Sequence, residues 1–183
     1  MRVPQDIPPR EAGTGRIHVV IDTPAGSRNK YRYDEDLAVF RVSRILPQGA
    51  VFPYDFGSIP GTRAEDGDAL DVLVLNLAPA FPGCLVTVRL IGVLHAEQRE
   101  RGNIIRNDRL IAVAETPANP ARVGDLPELD AEDLRAIEHF FASYNAFQGR
   151  EFAIRSRGNA RDALQAVERA IEAHRVHSAG HPP

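Results

Sequence analysis

An unusual concentration of carboxylates lies near the middle of the chain. Asp66, Asp68 and Asp71 fall close together and run directly into the apolar segment 72–75. Carboxylates at this density repel one another in water, and a divalent cation is the simplest group that would neutralise them. Ligands that offer only oxygen favour a hard metal, Mg²⁺ with Mn²⁺ as a substitute. The alternative is an acidic turn before a strand, since Asp and Gly are common turn residues.

A single lysine is the second chemical signal. The chain holds 22 basic residues, and all of them are arginine except Lys30. A genome bias towards arginine would explain the arginines but not the exception. An ammonium is a compact point donor, whereas a guanidinium is a wide planar fork. A site that holds a phosphoryl oxygen beside a metal favours the compact donor, so Lys30 is predicted to be functional.

Composition limits the classes of protein to which the chain can belong. With 183 residues and 43% hydrophobic content, it can bury one core. A net charge of −3 argues against a protein that binds nucleic acid by neutralising phosphates. There is no apolar run of the roughly 20 residues that cross a bilayer, and no apolar signal core at the N-terminus. The only cysteine, Cys84, cannot form an internal disulfide, so we expect a cytoplasmic protein without membrane or nucleic-acid partners.

Hydrophobic periodicity places these residues on a coarse α+β framework. Ile17, Val19 and Ile21 alternate with polar neighbours, which is typical of a half-buried strand. Near Asp130 the period changes to that of a helix, which this residue caps and Gly149 ends. The other predicted strands are 30–33, 39–46, 72–75, 85–94, 109–114 and 151–155.

One domain is predicted over residues 16–175, after an extended arm at 1–15. A last helix is expected to begin at an Asn159 cap and to pack through Leu164, Val167 and Ile171. The tail is predicted to fray from His174, with 176–183 outside the domain.

Several motifs in one order resemble the soluble, single-domain, Mg²⁺-dependent inorganic pyrophosphatases. The resemblance spans residues 17 to about 171, and its motifs are 24–31, Arg44, 53–62, the acid cluster, 91–94, 110–113 and 139–141 with Tyr144. It implies a five-stranded antiparallel OB-like barrel flanked by two C-terminal helices, and hydrolysis of inorganic pyrophosphate. It also implies a homo-oligomer, often a hexamer in bacteria, with His139 at an interface.

The resemblance assigns a role to each matching residue. Asp66 and Asp71 match metal ligands, and Asp68 matches the metal-site carboxylate that deprotonates the attacking water. The residues that match phosphate-binding positions are Lys30, Arg44 and Tyr144, together with Arg109 in place of a lysine. Asn107 stands at a metal-ligand aspartate, and Asp22 stands where a longer acid supports Lys30.

The chain departs from the family pattern inside the site itself. Arg32 replaces a glutamate, Phe56 a substrate-binding tyrosine, and Asn145 a lysine, while Ala69 replaces the proline or acid usual inside the acid cluster. Gln98 and Asn107 stand where metal-binding acids are expected. The site is therefore more positive than the pattern, which predicts fewer or weaker metal ions and stronger attraction of anions.

The hydrophilic segment 96–108 is expected to be a mobile loop that orders over the site. Glu97 or Glu100 would then supply a carboxylate near Asn107. Two other functions stay open, namely a protein that binds phosphates or a partner without hydrolysis and an enzyme for a bulkier phosphate ester. An OB-type nucleic-acid module is disfavoured because the chain has no Trp and lacks a basic excess.

Overall fold

The computed structural model describes residues 7–75, 78–100, 102–115, 120 and 122–180. The strands in this part of the chain are β1 (Ile17–Thr23), β2 (Asn29–Asp34), β3 (Val39–Ile45), β4 (Asp55–Ile59), β5 (Leu70–Leu75), β6 (Leu85–Glu100), β7 (Asn103–Arg106), β8 (Arg109–Ala114) and β9 (Glu151–Asn159). The helices are α1 (Ala131–Ala146) and α2 (Ala160–Gly180), with a short 3₁₀ turn at Leu126–Glu128.

Five strands close into a ring. β1 pairs antiparallel with both β4 and β6, and β4 pairs antiparallel with β5. β8 completes the ring because it lies parallel to β5 and antiparallel to β6. The predicted α+β class, with an OB-like ring and two C-terminal helices, is confirmed. One pair of the ring, β5 with β8, is parallel, because the chain crosses over through β6 and β7 before it returns beside β5.

Alternating side chains sort into two apolar clusters. Val72 and Val74 of β5 join a cluster that draws on all five strands of the ring and on α2. Leu73 and Leu75 of the same strand join a second cluster, which includes Ile137 and Phe141 of α1. Successive side chains of a strand point to opposite faces, so Asp71 lies on the face that packs against α1. The period of β5 thus decides which helix meets the acid cluster.

The predicted loop 96–108 is a β-hairpin over its described residues. β6 continues to Glu100, turns, and pairs with β7 from Glu97 opposite Arg106 to Glu100 opposite Asn103. The other edge of β6 pairs with β9 over the same residues. Backbone hydrogen bonds on both edges hold a segment that has no apolar face, which is why its side-chain pattern did not reveal a strand.

Three smaller expectations also need correction. β4 lies within residues 47–71, where the hydrophobic pattern predicts no strand. α2 continues to Gly180, so residues 174–180 are helical and not frayed, while 181–183 lie outside the described residues. Leu164 is 38% exposed, because α2 packs through small side chains such as Ala163 and Ala166 instead.

Both predicted helix caps are confirmed. Asp130 accepts a hydrogen bond from the Glu132 amide at 2.7 Å. Asn159 and Asp162 exchange reciprocal hydrogen bonds at the start of α2. Neither described helix is long and apolar enough to cross a membrane.

Candidate active site

The acid cluster is formed by a tight turn that leads into β5. Gly67 sits at the turn with φ 91°, a conformation that favours glycine, and the Asp68 amide donates to Asp66 Oδ1 at 3.1 Å. Burial raises the pKa of Asp66, and the negative charges of Asp71 and Asp68 raise it further. The cluster is therefore short of positive charge around Asp66, as expected for a cation site.

Lys30 lies across from this cluster in an apolar setting. Its Nζ is 4.0 Å from the centroid of the Phe56 ring and 5.7 Å from that of Phe52. Burial lowers the pKa of Lys30, against the opposing effect of the carboxylates Asp22 and Asp71. The only ammonium side chain of the protein is thus held over an aromatic platform between two acids.

Asp22 is the carboxylate that accompanies Lys30. Burial raises its pKa to about 7, although the positive charge of Lys30 acts in the opposite direction. A hydrogen bond from Ser58 also lowers the pKa of Asp22, and the negative charge of Asp71 raises it. Asp22 is therefore linked to both the lysine and the acid cluster.

Arg44 and Tyr144 border the same region. Arg44 lies directly opposite Lys30 in the β2–β3 pairing, which places the two side chains on one face. The Tyr144 ring packs at 5.5 Å from Phe52, and burial raises the pKa of its hydroxyl. Arg44 and Tyr144 line a cavity of about 330 Å³ whose other walls are Ile45, Leu46, Pro47, Phe147 and Gln148.

Two arginines contact the aspartates of the cluster. Arg32 donates to Asp68 Oδ1 at 3.0 Å, and both side chains are well exposed. Arg109 Nη1 lies 2.5 Å from Asp71 Oδ2 and also donates to Asn107 Oδ1. The Arg109 side chain is only 7% exposed, and its guanidinium lies 5.7 and 5.5 Å from the centroids of two phenylalanine rings. The ion pair of Arg32 with Asp68 is therefore exposed to solvent, whereas that of Arg109 with Asp71 is largely buried.

Comparison with known proteins decides the family. The profile for inorganic pyrophosphatase matches residues 19–175. The chain belongs to the inorganic pyrophosphatase family. The inorganic pyrophosphatase of Thermus thermophilus is 40% identical over 135 residues, which is 74% of this chain and 75% of that protein. That of Synechocystis is 39% identical over 136 residues, covering 74% and 78% of the two chains.

Solved structures of inorganic pyrophosphatases share the fold. The Thermus thermophilus crystal structure superposes with a TM-score of 0.86 at 33% identity, covering 95% of this chain and 99% of that one. The Neisseria gonorrhoeae structure gives a TM-score of 0.83 at 30% identity, with the same coverage. Membership of the pyrophosphatase family implies a divalent metal cation as cofactor.

The residues fit such a cation at one position and not at another. Asp66, Asp68 and Asp71 supply three carboxylates within six residues, and burial raises the pKa of Asp66. At Asn107 the donor is an amide whose oxygen already accepts from Arg109, and whose nitrogen donates to Gln98 at 3.1 Å. Over the described residues, no three acidic, histidine or cysteine side chains converge on a single point.

The predicted pyrophosphatase residues lie together, with some exceptions. Asp71 and Arg109 act electrostatically on Lys30, Asp66 and Tyr144, so these side chains share one region. The roles of the site residues remain predictions. Asn145 is 1% exposed, and its side chain donates to the Phe141 carbonyl within α1 at 2.9 Å.

The acids expected to help at Asn107 point elsewhere. Glu97 pairs with Arg155 at 2.7 Å and Glu100 with Arg150 at 2.8 Å. Asp108, which follows Asn107 in the chain, is held by His95 and Arg106 instead. The suggestion that Glu97 or Glu100 supplies a metal ligand is therefore wrong for this arrangement.

The role of Phe52 was missed by the sequence analysis. Phe52 and Phe56 are four residues apart in the 52–62 motif, and their rings pack at 5.7 Å. Together they form the surface that receives Lys30. Two aromatics beside a Pro- and Gly-rich loop were a signal, but the sequence did not indicate that the lysine lies above them.

Proposed function

We propose that this chain hydrolyses inorganic pyrophosphate to two phosphates, with Mg²⁺ as the cofactor. The observation that carries the proposal is the convergence of Lys30 with Asp66 and Asp71 beside Tyr144, on the face of the ring that packs against α1. The pyrophosphatase relatives and structures support the same reaction. When bound, the metal would be held by Asp66, Asp68 and Asp71, and it would lower the pKa of a coordinated water.

Each residue contributes a separate function to the reaction. Asp68 accepts the proton of a water that attacks one phosphorus, while the bond from that phosphorus to the bridging oxygen breaks. Lys30 donates to an oxygen of the attacked phosphoryl group, and Arg44 binds the leaving phosphate. Tyr144 donates its hydroxyl proton to a phosphate oxygen. The high pKa of the Tyr144 hydroxyl keeps it protonated as a donor.

The ion pair of Arg32 with Asp68 has to open before Asp68 can act. Both side chains are about two-thirds exposed, and pairs of this kind contribute about 0–1 kcal/mol. Binding of a metal or an anion can therefore displace the pair at little cost. The released Arg32 is then free to attract the phosphate of the substrate.

Release of phosphate from pyrophosphate tests the proposal. Purified chain is incubated with pyrophosphate and Mg²⁺, beside an Asp68→Asn variant. Asp34→Asn is the matched control, because Asp34 is also an aspartate paired with an arginine, Arg41, but lies at the end of β2 away from the acid cluster. We expect turnover in the wild type and the control, and a loss of 10²-fold or more in Asp68→Asn. Wild-type turnover no higher than that of Asp68→Asn would refute the reaction.

A phosphate-binding protein without hydrolysis is the second candidate. The observation in its favour is that arginines occupy two of the three aspartates, at Asp68 and Asp71. Calorimetry separates the two functions. Tight pyrophosphate binding in the presence of Mg²⁺, without released phosphate, would favour the binding protein.

An organic phosphate substrate is favoured by the 330 Å³ cavity. Arg44 lies beside Ile45 and Phe147, which are 62% and 54% exposed, so an apolar group attached to a phosphate would find a wall there. A panel of nucleotides and sugar phosphates tests this substrate class. Faster phosphate release from one of them than from pyrophosphate would favour it.

We also propose that the protein is cytoplasmic and that its chains assemble into a homo-oligomer such as a hexamer. His139 is exposed on α1, with its Nε2 3.4 Å from Ser143 Oγ, and is thus available to a second subunit. The free thiol of Cys84 supports a reducing compartment. Light scattering on the protein as it elutes from a size-exclusion column measures the mass of the assembly. The mass of a single chain would refute the homo-oligomer.

A further inference from the structure

The Arg109 guanidinium occupies the space between two residues that match metal-ligand positions. Its Nη1 contacts Asp71 Oδ2 at 2.5 Å and donates to the side-chain oxygen of Asn107. The parallel pairing of β5 with β8 sets Val72 opposite Leu110, so Asp71 and Arg109 are neighbours across two strands. The contact therefore follows from the register of the ring.

The surroundings of Arg109 keep it in this place. The rings of Phe141 and Phe152 lie within cation–π distance of its guanidinium, at 5.7 and 5.5 Å. The Arg109 side chain is only 7% exposed, so it has little freedom to leave Asp71. Gln98 accepts from the amide of Asn107 and so orients its oxygen towards the arginine. Arg32, by contrast, is exposed and can leave Asp68.

The local charges leave no room for a divalent ion beside Arg109. The pair of ligand positions holds one negative charge, on Asp71, because Asn107 is neutral. Arg109 already balances that charge, and a further ion would meet the repulsion of a fixed cation at short range.

We propose that Arg109 acts as a built-in cation that substitutes for a divalent metal ion between Asp71 and Asn107. This inference rests on the proposed metal-dependent function and specifies its metal content. The chain then binds divalent ions at the acid cluster but not between Asp71 and Asn107, and it binds one fewer than the same site would without the arginine. Asp71 is neutralised in the metal-free protein as well.

Counting bound Mn²⁺ tests this substitution without reference to turnover. The full chain is stripped of metal with EDTA, and Mn²⁺ is titrated without pyrophosphate while free Mn²⁺ is measured by electron paramagnetic resonance. Arg109→Met removes the charge but keeps an apolar stem against the two rings, whereas Arg109→Lys keeps the charge. We expect Arg109→Met to bind one Mn²⁺ more per chain than the wild type, and Arg109→Lys to match the wild type.

A second variant keeps the test decisive if Arg109→Met does not fold. Asn107→Asp adds a carboxylate beside an intact Arg109, which should absorb that charge and leave the Mn²⁺ count unchanged. A full additional Mn²⁺ in Asn107→Asp, or an unchanged count in a folded Arg109→Met, would overturn the substitution. Arg157 of β9 pairs with Glu138 of α1, away from the acid cluster. Arg157→Lys therefore serves as a control for the effect of replacing an arginine elsewhere in the chain. Because no substrate is present, absence of hydrolysis would leave this result intact.

Discussion

The pH dependence of stability provides a direct test of the buried pair of Asp22 and Lys30. The pKa of Asp22 is raised by burial from 3.8 to about 7, so the folded protein keeps a proton that the unfolded chain has lost. At a pH between these two pKa values, unfolding releases the proton of Asp22. The free energy of unfolding therefore falls as pH rises from about 4 to about 7. The full difference corresponds to roughly 4 kcal/mol, which is an upper estimate.

Replacement of Asp22 by Asn removes this dependence. We expect the free energy of unfolding of the metal-free wild type to fall by up to about 4 kcal/mol relative to Asp22→Asn between pH 4 and pH 7. Urea unfolding in EDTA, followed by circular dichroism at half-unit steps of pH, measures the difference between the two proteins. Asp66, whose pKa is raised as well, is present in both and cancels.

A control with the opposite sign guards against a general effect of removing charge. The pKa of Asp34 is lowered, mainly by its hydrogen bond from Arg41, so this carboxylate stabilises the fold above its unfolded pKa. The wild type should therefore gain stability relative to Asp34→Asn as pH rises through the acid range. If the curves of wild type and Asp22→Asn run parallel from pH 4 to pH 7, within the roughly 10–15% error of extrapolation, the argument from burial is wrong.

Three further outcomes are expected. Phe56→Leu removes the ring 4.0 Å below the lysine ammonium and should raise KM for pyrophosphate, with a loss of about 1–2 kcal/mol in binding; unchanged steady-state kinetics would show that the ring does not position the ammonium. Gly57→Ala places a Cβ 2.2 Å from a backbone oxygen of β1 and should lower the midpoint of urea unfolding. The loss should be far larger than for Gly49→Ala, whose Cβ meets no atom within 4 Å and is disfavoured only by the backbone φ of 86°. The double variant Glu97→Gln/Glu100→Gln should leave Mn²⁺ affinity within about twofold, since both acids pair with arginines away from the cluster and exposed pairs contribute little; a tenfold loss would show that they reach the metal.

Local pattern was sufficient for the elements whose faces differ in polarity. The alternation of Ile17, Val19 and Ile21 predicts β1, and all three side chains are fully buried. The acid cluster and the Asp130 cap are also where the sequence places them, because turn and cap chemistry depends on neighbours in the chain. The hairpin of β6 and β7 escaped prediction because its side chains show no apolar alternation, and because β9, which pairs with the other edge of β6, is distant in sequence.

The residue types of the site were determined by the sequence alone. Three aspartates in one turn and a single lysine indicate a metal and a phosphate whatever the fold around them. The tertiary structure decided which charge neutralises which. Arg109 meets Asp71 only because β5 and β8 are parallel neighbours. Lys30 lies over Phe56 because β2 is held against β1, where the Tyr31 amide donates to Thr23 Oγ1. Electrostatic partners depend on distance in space and on burial, and neither quantity can be read from spacing along the chain.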